Sequence, residues 1–115
     1  MAVSTVRTLL ASAARTTNGV SDSMGLAIDG ASKVAIGVNI TAFSGVSPTL
    51  DAVVQWSHDG GTSWLTPQPA DSFTQAITAQ GAIKVFDVKA PMARVVYSMT
   101  GTTPSFTFTV TAVGV

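Results

Sequence analysis

The chain contains no cysteine and no glutamate, and charged residues of either sign are few. Its 115 residues include six lysines or arginines, six acidic residues, all aspartate, and one histidine, so the formal net charge is zero. Without cysteine there can be no disulfide bond, no thiol nucleophile and no thiolate ligand for zinc. Glutamate favours helices whereas aspartate favours turns, so this choice of acid indicates a protein of strands and turns.

The low charge also limits the partners of the protein. Charged residues are 10 % of the chain, against about a quarter in typical domains, and 46 % are hydrophobic. The few basic residues are scattered, which argues against binding to nucleic acid or to an anionic membrane. No apolar run approaches the roughly 20 residues of a spanning helix, and the N-terminal residues lack the apolar core of a secretory signal. A surface with so little charge resists aggregation poorly, so we expect other subunits to cover much of it.

Alternation of apolar and polar residues predicts the strands of a single domain. The apolar faces comprise Val34, Ile36, Val38, Ile40 and Ala42, then Leu50, Ala52, Val54 and Trp56, and finally Phe106, Phe108, Val110 and Ala112. About seven strands at intervals of roughly 8 to 12 residues predict an antiparallel β-sandwich, either a jelly roll or Ig-like. Residues 25–115 would form this sandwich.

A turn-like unit occurs twice, as Gly45-Val46-Ser47-Pro48 and as Gly101-Thr102-Thr103-Pro104. Glycine reaches positive φ and proline ends a ladder of hydrogen bonds, so Gly45, Pro48, Gly101 and Pro104 predict two corners. At each corner a strand would reverse and return. Residues 33–43 and 50–57 would then pair with each other.

Residues 1–24 predict an N-terminal arm or edge strand, extended over about residues 5–16. A helical stripe through Val6, Leu9 and Leu10 is the alternative, although no capping box opens it. Further along, Asp29-Gly30 predicts a hairpin turn after the apolar residues 26–28, and a short strand is expected near residues 73–77. Residues 82–88 carry apolar side chains on both faces and predict a strand that is buried on both sides.

The segment from Ser57 to Trp64 matches the Asp-box pattern Ser-x-Asp-x-Gly-x-x-Trp. Its chemistry is structural, because Asp59 can accept backbone hydrogen bonds, Gly61 can adopt a left-handed conformation and Trp64 can pack beneath a hairpin. A propeller would need several such boxes, so one box predicts a single hairpin between Trp56 and Trp64. A sugar-binding surface at this hairpin is the alternative.

Catalytic, cofactor and metal sites are not indicated. His58 stands beside Ser57 and Asp59, but adjacent residues in one tight turn cannot adopt the geometry of a triad. One histidine and dispersed aspartates do not form a recognisable metal site. Four aspartates are expected to cap turns: Asp22, Asp29, Asp59 and Asp71. Four rings are candidates for a sugar platform, although core packing is the more common role: Trp56, Trp64, Phe73 and Tyr97.

Five segments together resemble a group of small virion proteins of tailed bacteriophages, encoded among head and tail genes. They are residues 9–16, residues 40–50, the Asp box at 57–64, Arg94 and residues 101–106. The resemblance implies a non-enzymatic β-sandwich subunit, most like a decoration or cement protein, made in the host cytoplasm and bound to the capsid surface. It also implies the major capsid protein and further copies of this chain as partners, in a homo-oligomer.

Eight residues are the expected partner contacts: Val6, Leu9, Leu10 and Arg15 of the arm, and Phe43, Ser44, Val46 and Ser47 at the first corner. An arm rich in small residues can order by packing on a neighbour, and Phe43 lies opposite the predicted core face of its strand. A tail or adhesion component and a carbohydrate-binding module remain alternatives. A small hydrolase ranks last, because no nucleophile and base can be assembled.

Overall fold

All regular structure in the described part of the chain is β. The computed structural model describes residues 6–25 and 32–115. The strands are β1 (Arg7–Arg15), β2 (Gly19–Val20), β3 (Met24–Gly25), β4 (Lys33–Ser57), β5 (Asp71–Ser72), β6 (Gly81–Asp87) and β7 (Met92–Gly114). These seven strands belong to one antiparallel sheet, with β4 and β7 at its centre. The described ranges contain no helix, so none there could cross a membrane.

The all-β class and the number of strands predicted from the sequence are therefore confirmed. The hydrogen-bonded pairing differs from the expected jelly roll or Ig-like sandwich, because those folds divide their strands between two sheets. Here a continuous ladder of pairs joins all seven strands. The reason lies in the two central strands, which are unusually long.

Strands β4 and β7 form a long ribbon that does not reverse at the repeated units. They are 25 and 23 residues long and pair from Val34 opposite Gly114 to Ser57 opposite Met92. The predicted reversals at Gly45–Pro48 and Gly101–Pro104 are thus wrong. Residues 33–43 and 50–57 are two parts of β4, and both pair with β7 rather than with each other.

The ribbon nevertheless bends sharply. A straight strand of 25 residues would span about 80 Å, whereas the longest dimension of the molecule is 42 Å. Tyr97 and Phe108 both lie on β7 and would be about 36 Å apart in a straight strand, yet their ring centroids are 5.1 Å apart. The bend, defined here as residues 45–48 of β4 and 101–104 of β7, is where both strands adopt positive φ.

The bend divides the sheet into two halves that share one core. The first half-sheet comprises β6, residues 33–44 of β4, residues 105–114 of β7, and β1. The second comprises β5, residues 49–57 of β4, residues 92–100 of β7, and the short strands β2 and β3. Buried apolar side chains from both halves form a single cluster. The sheet therefore folds over onto itself and encloses its own core.

The predicted core faces are confirmed with one exception. Every residue of the three alternating sets is buried except Ala42, which is exposed. The pairing of β4 with β7 shifts between Ile40 and Ala42, so one extra residue enters the strand. This shift interrupts the period of two, so Phe43, instead of Ala42, lies on the side of the buried Phe106, although the Phe43 side chain stays partly exposed.

Residues 7–15 form an edge strand, as one of the predicted alternatives states. Strand β1 pairs with β7 from Arg7 opposite Ala112 to Arg15 opposite Phe106, with two register shifts. The helical alternative for this segment is wrong. The predicted hairpin turn at Asp29-Gly30 and the apolar run before it lie outside the described residues.

Two other predicted strands differ from those observed. The strand expected near residues 73–77 is β5 at Asp71–Ser72, followed by a single bridge between Ala76 and Leu50. Strand β6 was expected to be buried on both sides, but most of it is exposed. It lies at an edge of the sheet and pairs with β4 on one side.

Candidate interaction surfaces

The bend has a local pseudo-twofold symmetry, because the two repeated units oppose each other across the ribbon. Gly45 has a φ of 116° and Gly101 a φ of 120°, and Ser47 and Thr103 have φ values of 49° and 46°. A Cβ atom on Gly45 would lie 2.8 Å from the Thr103 carbonyl oxygen, and one on Gly101 would lie 2.8 Å from that of Ser47. Only glycine permits this close approach of the two backbones.

The bend presents apolar side chains to solvent. Val46 is 66 % exposed and Phe43 is 43 % exposed, while Ser44 and Ser47 are also exposed. The Phe43 ring stacks on the fully buried Phe106, with centroids 6.3 Å apart. The four predicted contact residues of the first corner are therefore all exposed at or just before the bend, and the Phe43 ring packs on the core.

The predicted contacts of the arm are divided between the surface and the core. Val6 is exposed, Leu10 and Arg15 are half-buried, and Leu9 is only 4 % exposed. Leu9 thus contributes to the core of its own chain and is unavailable to a partner. The Arg15 guanidinium donates to the Ala11 carbonyl at 2.7 Å and lies over the Phe108 ring at 5.7 Å.

The Asp box forms a loop held by side-chain hydrogen bonds. The buried Ser57 hydroxyl donates to Asp59 Oδ1 at 2.9 Å and accepts from the Gly61 N–H at 2.8 Å. Asp59 accepts from the Ser63 N–H at 2.8 Å and from its hydroxyl at 2.7 Å. Gly60 and Gly61 have positive φ. The loop leaves β4 after Ser57 and returns as a single bridge between Trp56 and Leu65, so the predicted second strand at Trp64 is absent.

These bonds explain the acidity of Asp59. The hydroxyl and N–H of Ser63, followed by the hydroxyl of Ser57, stabilise the carboxylate and lower the pKa of Asp59 from 3.8 to about 2. Ser57 is directed to Asp59 and not to His58. Ser57 and Asp59 therefore cap the turn, as the sequence predicts for Asp59.

The indole of Trp64 is half-buried, and an arginine lies over its ring. Its Nε1 donates to the Gly61 carbonyl at 3.1 Å, and the Arg94 guanidinium lies 4.5 Å from the ring centroid. Arg94 is itself held by two hydrogen bonds, of 3.1 and 2.8 Å, to the Gln55 amide oxygen. A sugar could stack on the indole face next to Arg94 only by displacing this arginine.

The other candidate rings are also engaged. Trp56 and Tyr97 are buried, and the half-buried Phe73 packs edge-on against Phe86 with centroids 5.6 Å apart. The four rings proposed for a platform therefore give no exposed coplanar pair. No group of three metal-ligating side chains occurs within residues 6–25 and 32–115 either.

A small cleft lies beside the Asp-box loop. It has a volume of about 230 Å³ and is lined by Trp56, His58, Leu65, Thr66, Pro67 and Lys89. At this cleft Asp71 accepts from the Trp56 indole at 2.9 Å and from Lys89 at 2.7 Å. Asp71 was expected to cap a turn, but it lies in β5 and fixes two side chains. Lys89, which lines the cleft, is thus paired with Asp71.

Asp22 and Asp87 make other contacts. Asp22 is exposed, and its N–H donates to the Leu9 carbonyl at 2.9 Å, which ties the segment after β2 to β1. Asp29 lies outside the described residues. Asp87 forms an ion pair of 2.9 Å with Lys33, and this pairing lowers the pKa of Asp87.

The outer face of the first half-sheet carries apolar side chains that the sequence did not assign to a surface. Ile83 and Val85 of β6 are 79 % and 52 % exposed. Because Gly37 has no side chain, a groove of about 470 Å³ lies beside Ile83. Alternation could not reveal this, because an edge strand with an apolar outer face has the same pattern as a strand buried on both faces.

A comparison with solved structures finds proteins with a similar fold. This chain is similar to the SPBc2 prophage-derived protein YomS, with a TM-score of 0.53 and 13 % sequence identity over 99 % of this chain and 95 % of YomS. The two chains share a fold. At this identity the likeness assigns no role to any residue. No protein-family model matches the chain, and a comparison with curated proteins finds no match.

Proposed function

We propose that this chain is a structural protein of a bacteriophage particle, without enzymatic activity, that binds the outer surface of the capsid. It would act as a decoration or cement protein and stabilise the shell through contacts with the major capsid protein and with copies of itself. In this role the bent sheet would serve as a two-layered β-sandwich. The protein would be made in the host cytoplasm and carried on the particle.

The observation that carries the proposal is the fold shared with a prophage-derived protein over nearly the full length of both chains. Composition supports it, because a chain with 10 % charged residues leaves much weakly polar surface for lateral contacts. The exposed apolar side chains of the bend support it as well. Phe43 rests on Phe106 and is therefore held in place, which lowers the entropy lost on binding.

Two steps test the proposal. Electron microscopy of particles labelled with an antibody against this chain should place it on the capsid. Val46→Asp should then reduce binding of the recombinant protein to particles that lack it by roughly tenfold, since a charge would be buried in the contact. Leu65→Asp is the matched control, because Leu65 is similarly exposed but pairs with Trp56, near the end of β4 and far along the strand from the bend.

Each step has an outcome that contradicts the proposal. If purified particles carry no label, a virion role is excluded. Label on the tail would favour the alternative of a tail or adhesion component. Equal binding by the Val46 and Leu65 variants would exclude the bend as the contact. Deletion of the arm is a poor test, because β1 supplies Leu9 to the core.

A further inference from the structure

Strand β6 has the one long and regular open edge among the described residues. It pairs with β4 at seven consecutive positions without a register shift, from Asn39 opposite Gly81 to Lys33 opposite Asp87. Strand β1, at the other edge of the same half-sheet, is interrupted by two register shifts. Strands β2, β3 and β5 have two residues each. Bulges and short strands protect an edge from pairing, and β6 has neither.

The hydrogen bonds to β4 show which backbone groups of β6 face away from the sheet. The Ile40 N–H donates to the Gln80 carbonyl at 2.8 Å, and the Val88 N–H donates to the Ser32 carbonyl at 3.0 Å. In an antiparallel pair the bonded positions recur every second residue. The even-numbered residues of β6 therefore bond to β4. Ile83 and Val85 direct their N–H and C=O groups outwards.

The side chains of β6 leave this edge open. Ile83 and Val85 are exposed on the outer face. A lysine at an edge usually discourages pairing, but the Lys84 ammonium donates to the Ser72 carbonyl at 2.7 Å. It also lies 5.6 Å from the centroid of the Phe86 ring. Lys84 is thus drawn to the inner side of the half-sheet, away from the apolar outer face.

We propose that β6 pairs antiparallel with β6 of a second copy of this chain, about a twofold axis at Lys84. Ile83 would then lie opposite Val85 of the second copy, and their outward backbone groups would bond to each other. On the outer face, β-branched side chains would meet in cross-strand pairs, which stabilise antiparallel strands. The inference rests on the self-association included in the proposed function, and it names the surface.

Three observations favour a second copy over another protein's strand. The strand is self-complementary in this register, with apolar β-branched residues opposite each other on the outer face. The formal net charge of zero causes no long-range repulsion between copies. The described residues of each copy offer one such edge. Pairing about a twofold axis uses both edges, so the assembly ends at the dimer and does not continue into a fibre.

The register brings the two copies of Lys84 opposite each other, which has a measurable consequence. Like charges at opposed positions weaken a strand pair, and salt screens them. Dimerisation should therefore strengthen when the salt concentration rises. An interface held by ion pairs would show the reverse.

Sedimentation and hydrogen exchange on the whole chain test the inference. The wild type should pass from monomer to dimer as its concentration rises. The amides of Ile83 and Val85 should become protected only in the dimer, whereas those of Lys84 and Phe86 should be protected at every concentration. Val85→Pro should abolish the dimer, because it removes an outward N–H and leaves the bonds to β4 intact.

A second variant keeps the test valid if the proline disturbs folding. Ile83→Thr should weaken dimerisation by roughly tenfold or more through lost apolar burial, whereas Ile77→Thr, the same change at an exposed site off the edge, should leave it unchanged. A dimer that survives Val85→Pro would overturn the inference. A chain that stays monomeric at all concentrations, with fast exchange at Ile83 and Val85, would also overturn it. Protection of these amides only on purified particles would assign the edge to another protein. None of these results would decide whether the chain belongs to a virion.

Discussion

Asp59 organises the loop after β4 although it lies in solvent. Its carboxylate accepts two hydrogen bonds from Ser63 and one from the buried Ser57. Ser57 in turn accepts from the Gly61 N–H, so these polar groups are paired within the loop. Such local pairing closes the turn without a second strand, since only the bridge of Trp56 to Leu65 follows.

The stability of the protein should depend on pH through Asp59. The pKa of this group is about 2 in the folded protein and 3.8 ordinarily, so the unfolded chain binds the proton more readily. The stabilisation is therefore complete above about pH 4 and is lost as the pH falls towards 2. Asp59→Asn should lower the melting temperature at neutral pH, and its difference from the wild type should disappear near pH 2.

Calorimetry from pH 7 to pH 2 measures this difference. The ion pair of Asp87 with Lys33 also lowers a pKa in the acidic range, so the scans should be repeated at high salt, which screens that exposed pair. A difference between wild type and Asp59→Asn that stays constant down to pH 2 would contradict the assignment.

At the scale of elements, the alternation in the sequence predicts the core faces, but not the path of the ribbon. The buried positions from Val34 to Ile40 and from Leu50 to Trp56 follow from the period of two. Glycine and proline at the repeated units indicate an irregularity in each strand, and both strands bend there with positive φ while they continue. They cannot indicate whether the chain reverses or bends, because that depends on a partner strand with the same motif at the opposed position.

The bend should be sensitive to any side chain at its two glycines. Ala at Gly45 or Gly101 would combine an unfavourable φ with a contact of 2.8 Å to a carbonyl oxygen. We expect each substitution to lower the free energy of unfolding by roughly 2 to 4 kcal/mol. The two values should be similar, because the contacts are related by the pseudo-twofold symmetry.

Gly60→Ala provides the matched control, measured by chemical denaturation. Gly60 also has positive φ, at 76°, but nothing lies within 4 Å of an added Cβ atom. The Gly60→Ala substitution should lower the free energy of unfolding by only about 1 kcal/mol, which is the conformational penalty alone. Equal costs at Gly45 and Gly60 would show that the approach of the two strands at the bend is not tight.

For the whole molecule, the bend makes two half-sheets into one cooperative unit. Tyr97 belongs to the second half-sheet and Phe108 to the first, and their rings meet edge to face at 5.1 Å. Phe106 and Phe108 are both fully buried in the common cluster. Neither half-sheet has a second layer of its own to bury its apolar face, so each depends on the other half.

Because the core is shared, damage in one half-sheet should destabilise both. Phe108→Leu should lower the free energy of unfolding by roughly 1 kcal/mol, and Phe108→Ala by about 3 to 5 kcal/mol, since the larger truncation leaves a cavity. Native-state hydrogen exchange should show the same loss of protection at Val54 and Val95 of the second half-sheet as at Ile36 and Val110 of the first. Loss confined to the first half-sheet would mean that the halves unfold separately, and the ring contact across the bend would then couple them only weakly.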